Sequence, residues 1–433
     1  MKILIISHNP LTSYQSMGKT MLALFSSFKK EELCQLYIYP TVPDVDKCKS
    51  YYRITDKDVL KSYYHFRVKG GEISCDISAQ SQMFENRNDE KIYRSRKNKR
   101  PFRMLLRDMM WRYSRWNNSQ LKNWLKSQQP DCIFVAPGTA KFIYRMARNI
   151  SQKYNLPIIT YICDDYYFVK RPNSVLKRLQ VGSLKKEIKK LILSSKYLIT
   201  ICNELQEIYC KEFSVPAITI MTGSNYNIAE KATVNEKINA IAFMGNIRCN
   251  RFYSLAEIGK ALDEINEEEK TEYKLNIYTG EKNKEILSTF DDVKSVHLCG
   301  FITGEEFYRV LHSSDLLLHV EAFDAESIDL VKHSVSTKIA DSLASGICLL
   351  AYGPEQVASI RHLLDNECAF CITSKEKLKD GLKLIFTDKN LRFRFANKAL
   401  ETARIWHDAE TTSKKFYSLT EKINEGNANQ LRV

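Results

Sequence analysis

The sequence lacks the features that most readily reveal a protein's role. No stretch of its 433 residues approaches the roughly 18 consecutive apolar positions of a membrane span. The first apolar run, Ile3 to Ile6, is too short for the core of a secretory leader, and polar Ser7, His8 and Asn9 follow at once. A protein kept inside the cell without a transmembrane anchor is therefore expected. The twelve cysteines show no framework spacing, and the one close pair, Cys368 and Cys371, has no second pair to complete a zinc site. Buried, reduced thiols are expected instead. The lone Asp-x-Asp, Asp44 and Asp46, falls off the second strand and reads as a solvated loop, so no metal is expected. A phosphate loop is also missing. Gly18, Lys19 and Thr20 follow the strand "KILIISH", but the glycine required five positions earlier is Ser13, and Tyr14, Gln15 and Met17 crowd the span. Two readings of Gly18 remain: a glycine at the lip of a binding cleft, where a side chain would obstruct a ligand, or a plain turn glycine.

What is present is charge and repetition. Lysine and arginine number 65 against 51 acids, a net charge of +14 that implies an anionic partner. The length exceeds what one core usually supports. Short β-branched runs recur with helical segments between them: "ILIISH", "QLYIYP", "CIFVAP", "PIITYICD", "YLITICN" and "AITIMTG", then "AIAFMG", "KLNIYTG", "VHLCGF", "LLLHVEAF", "ICLLAYG" and "AFCI". Such runs fit parallel strands covered on both faces. Two series predict two Rossmann-like α/β domains, residues 1–230 and 231–390, with C-terminal helices and a tail, 391–433, packing back toward the first domain. The polar stretch 224–239 marks the boundary.

Two constellations in the second half carry chemistry. Arg248 and Arg251 stand in the loop after "AIAFMG", where a helix begins, and guanidinium groups beside a helix N-terminus suit a pyrophosphate. Their bland alternative is two solvated loop arginines. In "KHSVSTKIADSLASG", Ser336 and Thr337 are caps for a helix that Gly346 ends. Lys338 in its first turn opposes the helix dipole, a conflict that a bound phosphate would remove. Asp341, one turn on, could accept hydrogen bonds from ribose hydroxyls. An ordinary capped helix is the alternative.

Taken together, "GNIRCNR…SLAEIGKAL", "LNIYTG", "GFITGEEFYRVLHSSDLLLHVEAF", "STKIADSLASGICLLAYGPEQVASI" and "SHNP…GKT" resemble a bacterial family 4 glycosyltransferase of the capsule and O-antigen type. The resemblance is dense over residues 240–388 and sparse before them. It implies the GT-B fold, two Rossmann-like domains facing across a cleft, and transfer of a sugar from a nucleotide-sugar donor with retention of anomeric configuration. Arg251 matches the second member of the family's pyrophosphate-binding basic pair. The first falls on Asn246, with Arg248 as the candidate substitute. Asp341 matches the ribose-binding acid, whereas the other acid of that motif falls on His333, a departure. Glu321, Asp324 or Glu326 then stand in for contacts with the donor sugar, and Phe301 lies where the family contacts the base. Asp164 occupies the place of a histidine in many relatives and is a candidate to orient or deprotonate the acceptor; a loop-capping role is equally open. Arg251 and Lys338 would stabilise the departing diphosphate without a metal, and no cofactor beyond the donor substrate is implied. An epimerase or hydrolase on the same scaffold, or a non-catalytic member of a polysaccharide assembly complex, are the competing functions.

Lys91 to Arg115 contains ten basic residues and one acid, with Phe102, Leu105, Leu106, Met109, Met110 and Tyr113 near helical spacing, and a second basic cluster begins at Lys177. Cations and aromatics on amphipathic helices suit an anionic membrane surface. A peripheral protein on the inner face of the cell membrane, receiving a lipid-linked saccharide, is the expectation. A helix packed on its own domain is the alternative, and nucleic acid is not an expected partner because no recognised motif is present.

Overall fold

The computed structural model describes residues 1–13, 16–65, 70–75, 101–169, 174–224 and 226–430. Its chain divides into two units, Met1–Met221 with the segment from Thr412 onward, and Thr222–Thr411. The break precedes the one read from composition because the polar stretch after it lies against the second unit. Ala229 N–H donates to Ala344 O and Thr233 N–H to Gly346 O, both at 2.8 Å. Residues 391–411 likewise stay with the second unit. Arg392, fully buried, donates to the carbonyls of Ile385, Phe386, Asn235 and Glu236.

The first unit holds an eight-stranded sheet built from β1 (Ile3–Ser7), β2 (Leu33–Tyr37), β3 (Ser50–Arg53), β4 (Gly71–Ile73), β5 (Cys132–Ala136), β6 (Ile158–Ile162), β7 (Ser195–Thr200) and β8 (Ala217–Thr219). The order is β4-β3-β2-β1-β5-β6-β7-β8, parallel except for the antiparallel β3–β4 pair. Every residue of β1 is buried, as a strand between two neighbours and under helices on both faces requires. The helix Ala409–Gln430 contributes Phe416, whose ring lies 5.3 Å from Phe25 and 5.4 Å from Phe134. Phe416 is thus part of this unit's core.

Gly18 falls within the helix Ser16–Leu24. A Cβ there would stand 2.8 Å from Thr12 N and 2.9 Å from Thr12 O. The glycine is helical rather than a turn residue, and its missing side chain lets the helix pack directly on the backbone of the loop after β1. Gly18→Ala should therefore lower stability by about 1–3 kcal/mol, the usual cost of overpacking. Urea denaturation of the two forms measures it, and an unchanged midpoint would mean that the loop yields freely.

In the second unit, β9 (Ala240–Met244), β10 (Lys274–Tyr278), β11 (Val296–Gly300), β12 (Leu316–Val320), β13 (Leu349–Tyr352) and β14 (Phe370–Ile372) pair in the order β11-β10-β9-β12-β13-β14, all parallel. This is the strand order of a Rossmann sheet. Two apolar clusters sandwich it. One includes Ile241, Phe243, Leu318 and Leu350, and the other Ala242, Leu317, Leu349 and Ala351. Alternate residues of the same strands serve opposite faces, which explains why these runs are apolar throughout.

Candidate functional site

The order of the second sheet reverses between β9 and β12, and ligands of open α/β sheets bind beyond the carboxyl ends of strands at such a point. The chain leaves β9 through Gly245 and Asn246, whose Oδ1 accepts from Arg248 N–H at 2.8 Å. Cys249 and Asn250 follow with φ of 56° and 57°, a pair of left-handed residues that turns the chain abruptly into the helix Arg251–Glu269. Arg251 is thereby fixed at the first position of that helix.

Its guanidinium meets Glu321, the residue after β12. Nε donates to Oε2 and Nη2 to Oε1, both at 2.9 Å. Glu321 is 1% exposed. Burial pushes its carboxyl up, but His319 and Arg251 more than offset this and hold it below the usual carboxylate range. His319 Nε2 lies 3.3 Å from Oε1, close by but without hydrogen-bond alignment. The Ser254 hydroxyl donates to the Glu321 carbonyl at 2.9 Å and ties the helix to the strand end. A buried carboxylate so engaged serves to position the arginine. Two of the guanidinium's five N–H groups point at Glu321, and the fork retains donors for a second anion.

A cavity of about 120 Å³ opens beside this pair, lined by Gly245, Asn246, Arg251, His319, Ser336 and Lys338 among others. Lys338 stands in the first turn of the helix Thr337–Ala344, with its stem alongside Gly245. Ser336 occupies the N-cap position with φ −66° and ψ 126°, yet its hydroxyl makes no capping bond. The cap expected from the sequence is thus present in place but not in bonding. Asp341, 7% exposed, accepts from the Ser224 hydroxyl at 3.1 Å.

The structure brings Asn246, Arg251, Ser336 and Lys338 to one cavity, with Glu321 behind Arg251 and Thr337 at the helix start. Arg248 is directed elsewhere: Nε donates to Glu281 Oε2 at 2.6 Å, and the guanidinium draws the Glu281 carboxyl down to about 2. Phe301 is exposed and packs over Gly280 at the end of β10. Asp324 caps the helix Ala325–Val331, accepting from Ser327 N–H at 2.9 Å. Asp164 belongs to the first unit, beyond the end of β6, where it accepts from the Tyr166 hydroxyl at 2.9 Å and borders a cavity of about 20 Å³. Asp44 is a working part of its loop, accepting from Ser13 N–H at 3.0 Å, while Asp46 pairs with Lys30. The sequence reading missed His319. Its only signal was a histidine inside the apolar run "LLLHVE".

Two Rossmann-like units, the second with a cation-lined cavity at its switch point, are the architecture of the GT-B fold. We found no family model that matches the sequence and no curated protein that matches it. Solved structures do match over nearly the whole chain. HepE of Anabaena, crystallised with UDP, is 12% identical, with 98% of this chain and 100% of that one covered at a TM-score of 0.61. Sucrose-phosphate synthase of Thermosynechococcus elongatus is 10% identical, with 98% and 100% covered and a TM-score of 0.61. WaaG, a glycosyltransferase involved in lipopolysaccharide biosynthesis, is 13% identical, with 95% and 98% covered and a TM-score of 0.53.

Proposed function

We propose that the protein transfers a sugar from a nucleotide-sugar donor to an acceptor hydroxyl. The observation that carries this reading is the convergence of Arg251 and Lys338, from two different helix starts, on one cavity at the switch point of the second sheet. The diphosphate of the donor gains negative charge as the sugar–oxygen bond breaks. Cations already in place stabilise that charge without reorganising, and helix N–H groups add to them. These charges suffice for a metal-independent departure. Neighbours of the same fold crystallised with UDP support the choice of ligand. Asp341 would hold the ribose and exposed Phe301 the base. Asn246 and Ser336 border the phosphates, and Glu321 keeps Arg251 aimed. Asp164 in the first unit would orient the acceptor hydroxyl.

The acceptor in this reading is a lipid-linked saccharide of bacterial surface polysaccharide synthesis, and the anomeric configuration is retained. The basic helices of the first unit and the likeness to WaaG support it. The anomeric carbon would pass through an oxocarbenium-like state, as in glycoside hydrolysis. Epimerisation or hydrolysis of the donor is the alternative on the same scaffold, and free sugar or its epimer appearing without acceptor would favour it.

A panel of UDP, GDP and dTDP tests the donor site directly. One of them should raise the melting temperature, because a ligand at a hundred times its Kd adds about 2.7 kcal/mol to the folded state. If none does so at millimolar concentration, the reading fails.

A further inference from the structure

Every large apolar side chain that stands exposed in the first unit, among the described residues, belongs to three helices: Asp56–His65, Pro101–Tyr113 and Val175–Leu193. The middle helix packs against both others. The Tyr63 hydroxyl donates to Met110 O at 2.6 Å, and Gln180 Nε2 lies 2.9 Å from Met104 Sδ. On the middle helix Phe102, Leu106, Met109 and Tyr113 are 56–67% exposed. Their spacing puts them on one stripe. Tyr64 and Leu60 extend this apolar surface on one neighbour, and Val175, Leu176 and Leu179 on the other.

Sequence periodicity alone leaves open whether that stripe faces inward or outward. The helix buries a polar face. Arg107 Nε donates to Asp56 Oδ1 at 2.9 Å, Trp111 Nε1 donates to the same oxygen at 2.6 Å, and Asp108 pairs with buried Lys141 at 3.0 Å. Arg107 Nη2 also reaches His8 Nε2, just past β1, at 3.1 Å. These bonds fix which side of the helix faces out.

Charge is sorted in the same way. The three helices contain four acids, and none is exposed: Asp56 and Asp108 are held as above, Asp58 accepts from Thr55, and Glu187 pairs with Arg148. Their exposed cations include Lys61, Arg103, Arg112, Lys177 and Arg178. An apolar surface flanked by cations, with the acids of these three helices all withdrawn from it, fits the interface of an anionic bilayer, where apolar side chains enter the acyl boundary and cations meet the headgroups. A self-complementary protein contact would need acids to answer the cations.

We infer that this three-helix face is where the protein docks on an anionic membrane. It deepens the reading of a lipid-linked acceptor by naming the surface on which that acceptor is met, and it assigns the docking to residues outside the donor cavity. Residues 91–100, the basic stretch before the middle helix, lie outside the described residues.

Co-sedimentation with vesicles of phosphatidylglycerol and phosphatidylcholine, against phosphatidylcholine alone, tests it. Wild type should pellet with the anionic vesicles and remain free of the neutral ones. Leu106→Glu with Met109→Glu should abolish binding without lowering the melting temperature, since both side chains are exposed. Lys61→Gln and Lys177→Gln should each weaken it about fivefold. Wild type that ignores anionic vesicles overturns the inference. So does a dimer in sedimentation velocity that the Leu106/Met109 variant splits, which would make the face a contact between copies. Neither result touches the nucleotide panel, so the docking surface and the transfer reaction can fail separately.

Discussion

Replacing Lys338 by alanine is expected to lower kcat/KM for the nucleotide sugar by about 10²–10³, the loss typical of removing one preorganised charge from a transition state. Lys338 is exposed at the mouth of the cavity, so the fold should survive the change. Arg251 needs a different design. Alanine there would strand the buried Glu321 carboxylate, and breaking such a pair costs about 3–5 kcal/mol of stability. Arg251→Gln combined with Glu321→Gln removes both charges together and should reproduce the kinetic loss in a folded protein. Glu321→Gln alone keeps the cation but weakens its anchor, so its effect should be smaller. Arg248→Ala provides the comparison: its guanidinium is engaged by Glu281, and a change of no more than a few-fold is expected. Steady-state kinetics across these variants, with circular dichroism to verify folding, decide the matter. Wild-type rates in the Lys338→Ala, Asp341→Ala double variant would remove the donor site from where the cavity places it.

The residues show why part of this was legible in the sequence and part was not. The central strands β9, β12 and β13 stand out as apolar runs because both faces of each are covered, and no polar alternation obscures them. β11 is legible as a run although it lies exposed at the sheet edge. β3 and β4 escaped notice. They have only four and three residues, "SYYR" and "GEI", too short to register as apolar runs, and β4 at the sheet edge tolerates polar side chains. Lys338 could be singled out because a cation in a helix's first turn contradicts the dipole, so the sequence itself flags a missing anion, and Arg251 because it stands beside a helix N-terminus. Arg248 looked equivalent to Arg251, and only the left-handed pair Cys249–Asn250 separates them by directing one inward. Glu321 illustrates the limit more sharply. As a residue type it suggests sugar contacts, but its partner lies 70 positions away, and only folding reveals an acid already committed to an arginine. On the helix Pro101–Tyr113 spacing alone left two readings open, a core face or a surface face, and the outward stripe of Phe102, Leu106, Met109 and Tyr113 is the second.

Stability between pH 6.5 and 4.5 should be governed by a second feature that the sequence did not announce. His362 and His407 are both buried, with their Nε2 atoms 2.9 Å apart. A carbonyl can only accept, so His407 Nδ1–H donates to Thr222 O at 2.9 Å, leaving Nε2 as a lone pair. His362 Nε2–H must then be the donor to it, and His362 Nδ1 accepts from Asn366 Nδ2 at 3.3 Å. Every ring nitrogen is assigned, and both imidazoles are neutral. Burial drives His362 down to about 3 and His407 down to about 4, from 6.5. The unfolded chain therefore takes up protons below about pH 6.5 that the folded chain refuses, and stability falls as pH falls. The contribution is complete above pH 6.5 and is lost progressively toward the folded values, about 3 kcal/mol for His407 alone. Paired carboxylates such as Glu281, held at about 2, respond only below 4.5, so the higher window separates the two effects. His407 also accepts from Ser224 N–H through its carbonyl at 2.7 Å, so the pair secures the segment where the chain enters the second unit. Urea denaturation at pH 8, 6.5, 5.5 and 4.5 should show this loss in wild type. His362→Gln with His407→Gln should be less stable at pH 8 but nearly flat across the window. A wild-type stability that stays constant from pH 7 to 5 would mean that the two imidazoles are not held neutral.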